Sequence, residues 1–328
     1  MWERKLSDYK VGESFMAFFL IRKAESKTTA AGNKYLDMIF GDSSGEISAR
    51  WWDCKEEDEL EYVKNTLVKV KGIVAEWQGR KQIKVEKMRA ANEQDGVNIG
   101  DFVPIAPWDP QDMYKELHEY TMKIGHTGIR DLVQFIICES GERILTFPAA
   151  MQNHHSVRSG LLYHTLTMLR AGEKLLEVYD FLNKDLLLAG IILHDIAKLD
   201  EINANPLGIA SDYTMEGQLL GHIIQGVKRI NQAARNTNLD ARTAALLEHM
   251  VLAHHYEPEF GSPKRPMIPE AEILHYLDII DARMFDMKKA LEQVEEGEFT
   301  EKIWTLNNRK LYKPQHALVQ ADDQEQEE

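Results

Sequence analysis

Apolar residues alternate with polar ones over roughly the first hundred positions, and after about residue 110 they recur every three to four. The alternating part starts with the β-prone run Phe15 to Arg22 and resumes at Tyr35 to Phe40. Gly41-Asp42-Ser43-Ser44-Gly45 is a turn, and Ile47 to Trp52 continues the extended pattern, so a hairpin is predicted. Lys55 to Lys64 is charged and helix-prone. Leu67 to Trp77 alternates again, Gln78-Gly79-Arg80 turns, and Gln82 to Met88 is the last run. Five strands with a short helix between the third and fourth is the order of an OB-fold barrel.

Three prolines fall within seven residues from Pro104, and such a stretch breaks regular structure. The helical period then predicts helices over Asp112–Ile124, Ile129–Ser140, Ser159–Tyr179, Lys184–Ala197, Thr214–Thr237, Asp240–His254 and Glu270–Glu296. No β-rich block interrupts them, so an all-α domain is expected. The predicted organisation is a barrel over 1–100, a linker over 101–110, a helical domain over 111–315 and an acidic tail over 316–328.

Charge sharpens the boundary. Residues 1–105 hold 17 basic and 18 acidic side chains, and residues 106–328 hold 22 and 35. The formal charge of −14 excludes a polybasic nucleic-acid coat or a membrane-surface protein by bulk charge. Cys54 and Cys138 form no C-x-x-C pattern and cannot build a disulfide framework. The opening Met1-Trp2-Glu3-Arg4-Lys5 lacks the apolar core of a secretion signal, and no apolar run reaches a membrane span. A cytoplasmic location is therefore expected, with no membrane partner.

All twelve histidines lie beyond residue 117. The strongest signal is Leu186 to Lys198, where an apolar helix runs into the adjacent pair His194-Asp195. An unpaired buried carboxylate costs several kcal/mol, roughly, unless something neutralises it. A divalent metal does so, and imidazole with carboxylate suits Mn, Fe, Ni or Zn. The alternative is a buried ion pair with Lys198, one turn later.

His164, the pair His194-Asp195 and the distant Asp278 resemble the HD-domain phosphohydrolase superfamily. His222 and the doublet His254-His255 resemble its members with two metals. The resemblance implies that His164, His194, Asp195 and Asp278 hold one ion. Asp195 would bridge to a second, held by His222, His254 and His255. Mn2+ is the first expectation for both, with Fe, Co, Ni and Zn as further options. Some relatives add a third metal through an acid four residues before the first histidine. Gly160 stands there, so two ions are expected, activating a water as nucleophile. Asp195 and Lys198 are the expected catalytic residues. Lys198 would bind a phosphate oxygen or steady the bridging carboxylate, and Asp281 would support the ligands from behind. His154 and His155 face either substrate phosphate or their own loop. Arg158 and Arg283 are candidate phosphate contacts. His249 and His275 are expected to be structural or to support ligands, and His118 and His126 carry no expected role.

OB barrels hold single strands on a basic groove with aromatic platforms. The candidates here are Arg22, Lys34, Arg50, Lys71, Arg80 and Lys81, with Trp51 and Trp52. Adjacent strand residues face opposite sides, so at least one of the two indoles can be a platform. Phe15, Phe19 and Phe40 are assigned to the core. Barrel plus HD domain, with Phe40 to Ile47, Asn153-His154-His155, Gly160 to Thr165, His194 to Lys198, His254-His255 and Trp304 to Pro314, resembles the YhaM-type 3'-5' exoribonucleases of Gram-positive bacteria. The resemblance spans nearly the whole chain. It implies manganese-dependent removal of nucleotides from the 3' end of single-stranded RNA, some action on single-stranded DNA, and self-association as a homo-oligomer. Two other readings compete. One is an HD-type hydrolase of small nucleotides or cyclic dinucleotides, with the barrel as an interaction module. The other is a strand-binding adaptor whose metals only hold helices together.

Overall fold

Five strands close into a barrel in the computed structural model, which describes residues 4–52, 54–151 and 155–315. They are β1 (Ser14–Thr28), β2 (Lys34–Asp42), β3 (Gly45–Trp52), β4 (Leu67–Trp77) and β5 (Arg80–Ala90), with helix α1 (Glu56–Glu61) between β3 and β4. The order is β1-β2-β3-β5-β4, and β4 pairs back with β1. The β3–β5 pair is parallel, as the intervening α1 and β4 allow, and the others are antiparallel.

Alternation decides what faces inward. Phe15, Phe19 and Ile21 of β1 meet Leu36, Met38 and Phe40 of β2 in one cluster. Phe19 stacks on Phe40 with ring centres 5.6 Å apart. Each such buried side chain contributes about 1.5–3 kcal/mol. β1 runs well past its apolar part. Lys23 to Thr28 pair with β2 down to Lys34, held by the backbone ladder and so invisible to a pattern that tracks apolar residues.

The helical unit holds α2 (Pro110–Met122), α3 (Thr127–Ser140), α4 (Gly160–Val178), α5 (Lys184–Leu193), α6 (Lys198–Glu201), α7 (Met215–Thr237), α8 (Ala241–Ala253) and α9 (Pro269–Leu291). Caps start several of them as the sequence suggests. Asp109 accepts from Gln111 N and Asp112 N with Pro110 next in line. Asn183 accepts from Leu186 N, and Asp240 from Arg242 N and Thr243 N. α5 is buried from Leu186 to Leu193, with α4, α9, α3 and α8 packed on it.

Four features depart from the predicted elements. α5 stops at Leu193, so His194 to Ala197 form a turn before α6. A two-stranded hairpin, β6 (Ile202–Ala204) with β7 (Ala210–Tyr213), is added to the helices. It is too short for an apolar period to register. α7 is kinked at Gly221, whose φ is 69°. α9 ends at Leu291, short of the acidic residues before 296.

The chain divides into two units, Met1–Ile105 and Ala106–Glu328. The stretch expected to link them is shared out. Phe102 and Val103 are buried, and Arg22 donates to the Phe102 carbonyl at 2.9 Å. Asp109 belongs to α2 as its cap. His154 and the tail 316–328 lie outside the described residues. Among those described, no helix is long and apolar enough to cross a membrane.

Candidate functional site

The expected metal ligands come from four helix ends and one helix face. His164 lies in the early part of α4. His194 caps the C-terminus of α5, with Asp195 next in the turn. His222 follows the kink of α7, and His254-His255 follow α8. Asp278 and Asp281 lie three residues apart on α9 and so share a face. The structure brings them together. One ligand atom from each of His164, His194 and Asp195 lies within 4.8 Å of the others, and the same holds for His222, His254 and His255.

All five histidines point the same way. Each engages an acceptor through Nδ1: Asp281 Oδ2 for His164 (2.7 Å), Ile191 O for His194 (2.8 Å), Glu201 Oε1 for His222 (3.1 Å), Val251 O for His254 (2.7 Å) and Phe260 O for His255 (2.6 Å). An Nδ1 that donates leaves Nε2 unprotonated on a neutral ring. Four of the Nε2 atoms surround Asp195. His194 and His164 lie 3.3 and 3.8 Å from Oδ2, and His222 and His254 lie 3.4 and 3.8 Å from Oδ1. Asp278 Oδ1 is 3.3 Å from His164 Nε2. The Nε2 atoms of His194, His222 and His254 and Oδ1 of Asp195 are buried without a hydrogen-bond partner. Orphaned acceptors of this kind are costly in a dry pocket. The donor set therefore fits divalent cations.

Electrostatics agrees. Burial pushes the His254 and His255 rings down, and neighbouring histidines push them further, so both stay neutral. Burial alone would raise the Asp195 carboxyl, but Lys198 and His194 hold it well below the usual range. Burial likewise opposes ionisation of Asp278, which the His164 contact overcomes. His164 resists burial in the same way. Its bonds to Asp278 and Asp281 push it up to about 10. A cation held by His164 Nε2 would take the place of the proton there. Lys198 Nζ donates to Asp195 Oδ2 at 2.6 Å and stays charged despite burial. The alternative ion pair therefore exists on Oδ2, which His194 and His164 also approach, while Oδ1 faces His222 and His254.

Two groups hold the ligands from behind. Asp281 Oδ2 accepts from His164 and also lies 2.7 Å from His155 Nε2. His155 is buried with φ 55° and its ring lies tilted against Phe285 with centres 4.0 Å apart, so it packs on α9. Glu201 was missed from sequence. It takes both the N–H and the ring of His222. Nothing local marks it among surface acids, because only the kink at Gly221 turns His222 toward it. At Gly160 a Cβ would lie 2.0 Å from His155 O, so the carbonyl of that loop fills the place of an additional acid. His275 Nδ1 engages His254 O at 2.8 Å, and His249 Nε2 accepts from Met267 N at 2.9 Å. His126 caps α3 and His118 packs edge-on against Tyr114. Arg158 donates to Pro206 O at 2.6 Å, and Arg283 is exposed.

On the barrel, β2 and β3 settle the paired indoles. Leu36 lies opposite Trp51 and Tyr35 opposite Trp52. Trp51 turns inward, edge-on to Tyr62. Trp52 is 39% exposed and stacks on Tyr35 with ring centres 4.6 Å apart. Arg50 shares this outer face, opposite Asp37 and Lys84, with its Nε 3.6 Å from Asp37. The other cations are spread out. Lys34 pairs with Glu59 of α1 at 3.0 Å, and Lys81 donates to Tyr9 O at 3.1 Å. Lys71 pairs with Glu86 and lies opposite Met16 in the first half of β1, away from Trp52. Arg80 is exposed opposite Trp77, itself 57% exposed.

Comparison with known proteins gives the following. The family model described as HD domain matches residues 161–283, and the one described as OB-fold nucleic acid binding domain matches residues 21–91. The 3'-5' exoribonuclease YhaM of Shouchella clausii (strain KSM-K16) is 41% identical over 306 residues, which is 93% of this chain and 95% of that protein. Among solved structures, the second OB-fold domain of replication protein A from Methanococcus maripaludis aligns with 27% of this chain and 94% of its own, at 18% identity and a TM-score of 0.23.

Proposed function

The chain belongs to the YhaM family of 3'-5' exoribonucleases, and we propose that it removes nucleotides from the 3' end of single-stranded RNA, and of single-stranded DNA, by metal-dependent hydrolysis. The observation that carries this reading is the convergence of bare histidine Nε2 atoms on the orphaned Oδ1 of Asp195.

Two divalent cations fit the reading, Mn2+ in first place and Fe, Co, Ni or Zn as substitutes. His164, His194, Asp195 and Asp278 would hold one, and Asp195, His222, His254 and His255 the other. Bound there, such ions supply Lewis-acid stabilisation of a phosphodiester and a water acidic enough to ionise near neutral pH. The chain's own residues do the rest. Lys198 keeps Asp195 ionised and adds positive charge where negative charge develops. Asp281 and Glu201 fix the rings of His164 and His222. In the barrel, the Tyr35–Trp52 stack offers a base platform beside Arg50, worth roughly 1–3 kcal/mol per stacked base.

A cytoplasmic site of action belongs to the same proposal, as Cys54 and Cys138 are free thiols. So does self-association, with the exposed Phe299, Trp304 and Tyr312 of the C-terminal segment as the apolar surface.

The test is a 5'-labelled single-stranded RNA incubated with Mn2+, with EDTA, and with the Asp195→Asn enzyme. A ladder shortening from the 3' end, lost with EDTA and with the substitution, is expected. Intact RNA under Mn2+ would sink the reading.

A further inference from the structure

A hairpin follows α9 in the helical unit. Gly297 N donates to Lys313 O, Lys313 N to Glu298 O, Thr300 N to Leu311 O and Ile303 N to Arg309 O. Asn307 and Asn308, at φ 59° and 56°, form its tight end, in a conformation that asparagine tolerates better than most residues. Thr300 and Leu306 are buried. Lys313 Nζ donates to Val294 O at 2.8 Å and ties the base of the hairpin to the chain just past α9. The ladder and these anchors fix the backbone from which the outward side chains project.

The charge of this hairpin is unlike that of the unit carrying it. The stretch 302–315 holds four basic residues and no acid, whereas residues 106–328 hold 22 basic and 35 acidic ones. Lys302, Arg309 and Lys310 are exposed and gather around the bridge between Ile303 and Arg309. None of these three side chains has an ion pair or a hydrogen bond among the described residues. The acids of the segment, Glu295, Glu296, Glu298 and Glu301, all precede them. Glu301 is the nearest in sequence and pairs with none of the three among the described residues. Trp304, 69% exposed, lies in the same half of the hairpin. Clustered cations repel one another, a cost that a polyanion removes. An exposed indole beside unpaired cations is the combination that holds single strands.

We propose that the turn end of this hairpin is a second surface for single-stranded RNA, in which Lys302, Arg309 and Lys310 hold phosphates and Trp304 stacks on a base. The inference rests on the exonuclease reading for the identity of the strand and adds where the helical unit holds it. The Phe299–Tyr312 pair, with ring centres 5.0 Å apart at the opposite end of the hairpin, remains for self-association.

The experiment measures binding of a labelled single-stranded RNA to the full-length chain over a range of salt concentrations, with EDTA so that the strand stays whole. It compares the parent, one chain carrying Lys302→Gln, Arg309→Gln and Lys310→Gln together, and Trp304→Ala. Three phosphate contacts on a single strand contribute about 2 to the slope of log K against log salt. The triple variant should lose that much of the slope and bind roughly 10- to 100-fold more weakly. Trp304→Ala should bind roughly 5- to 100-fold more weakly at the parent's slope. The proposal falls if either variant binds like the parent. It falls too if the triple variant's mass by light scattering drops together with its affinity, which would give these cations to self-association. A parent that binds the strand with these dependences yet leaves it intact under Mn2+ defeats the exonuclease reading and leaves this surface standing. The two failures are thus distinguishable.

Discussion

Glu201 Oε1 accepts from both the backbone N–H of His222, at 3.0 Å, and its ring Nδ1, at 3.1 Å. The carboxylate thus caps the helix that restarts after Gly221 and sets the tautomer of the candidate ligand. Removing it as Glu201→Ala should weaken metal binding by about 10- to 100-fold with the fold intact. Glu201→Gln, whose amide oxygen still accepts, should lose less. Chelator-competition titration with circular dichroism checks both, and unchanged affinity in the alanine variant would contradict the role.

Trp51 and Trp52 should separate cleanly. Trp52→Ala removes an exposed stacked ring and should cost roughly 1–3 kcal/mol of RNA binding at nearly unchanged melting temperature. Trp51→Ala opens the barrel core and should cost about 3 kcal/mol of stability or more. Fluorescence anisotropy and thermal melting measure the pair. Similar effects of both substitutions on binding would mean that the outer face is not the platform.

What the sequence disclosed here and what it hid have a common cause. Alternation told that the two indoles lie on opposite faces but not which one faces out. The answer depends on register, Leu36 opposite Trp51 and Tyr35 opposite Trp52. The pair His194-Asp195 stood out at the end of an apolar helix, and the resemblance to HD-domain proteins supplied the other candidate ligands, His164, His222, His254, His255 and Asp278. Glu201 stayed hidden because its role needs a kink at Gly221, and Asp37 because its neighbour Arg50 is on another strand. The basic residues chosen by type were similarly spread over the barrel by pairings that composition does not contain.

Gly160→Asp should not create a third metal position. A Cβ there would collide with the His155 carbonyl at 2.0 Å. The expected outcome is a loss of about 1–3 kcal/mol of stability, or more, and no rise in bound metal. Metal counted by emission spectroscopy decides it, and an additional bound ion in the variant would refute the steric account.

Acid should weaken the barrel through Glu13. Its hydrogen bond from Arg4 lowers the carboxyl from 4.5 to about 2. A folded-state value below the unfolded one gives stability that is full above the unfolded value and lost as pH falls through about 2. The melting-temperature gap between the parent and Glu13→Gln should be widest near neutrality and close between pH 4.5 and about 2. A gap that is independent of pH over that window would rule the carboxylate out as its source.

The acceptors behind the candidate ligand rings also impose an order of assembly. His194 and His254 are held by carbonyls three residues back in their own helices, so local chain closure suffices to aim them. His222 waits for a partner 21 residues away, and His164 for one 117 residues away. The second pair can be aimed only after distant segments have met, the slow and entropically costly part of folding. A cation that needs both pairs therefore selects the finished molecule over its precursors, and by mass action it locks the late contacts rather than the early ones.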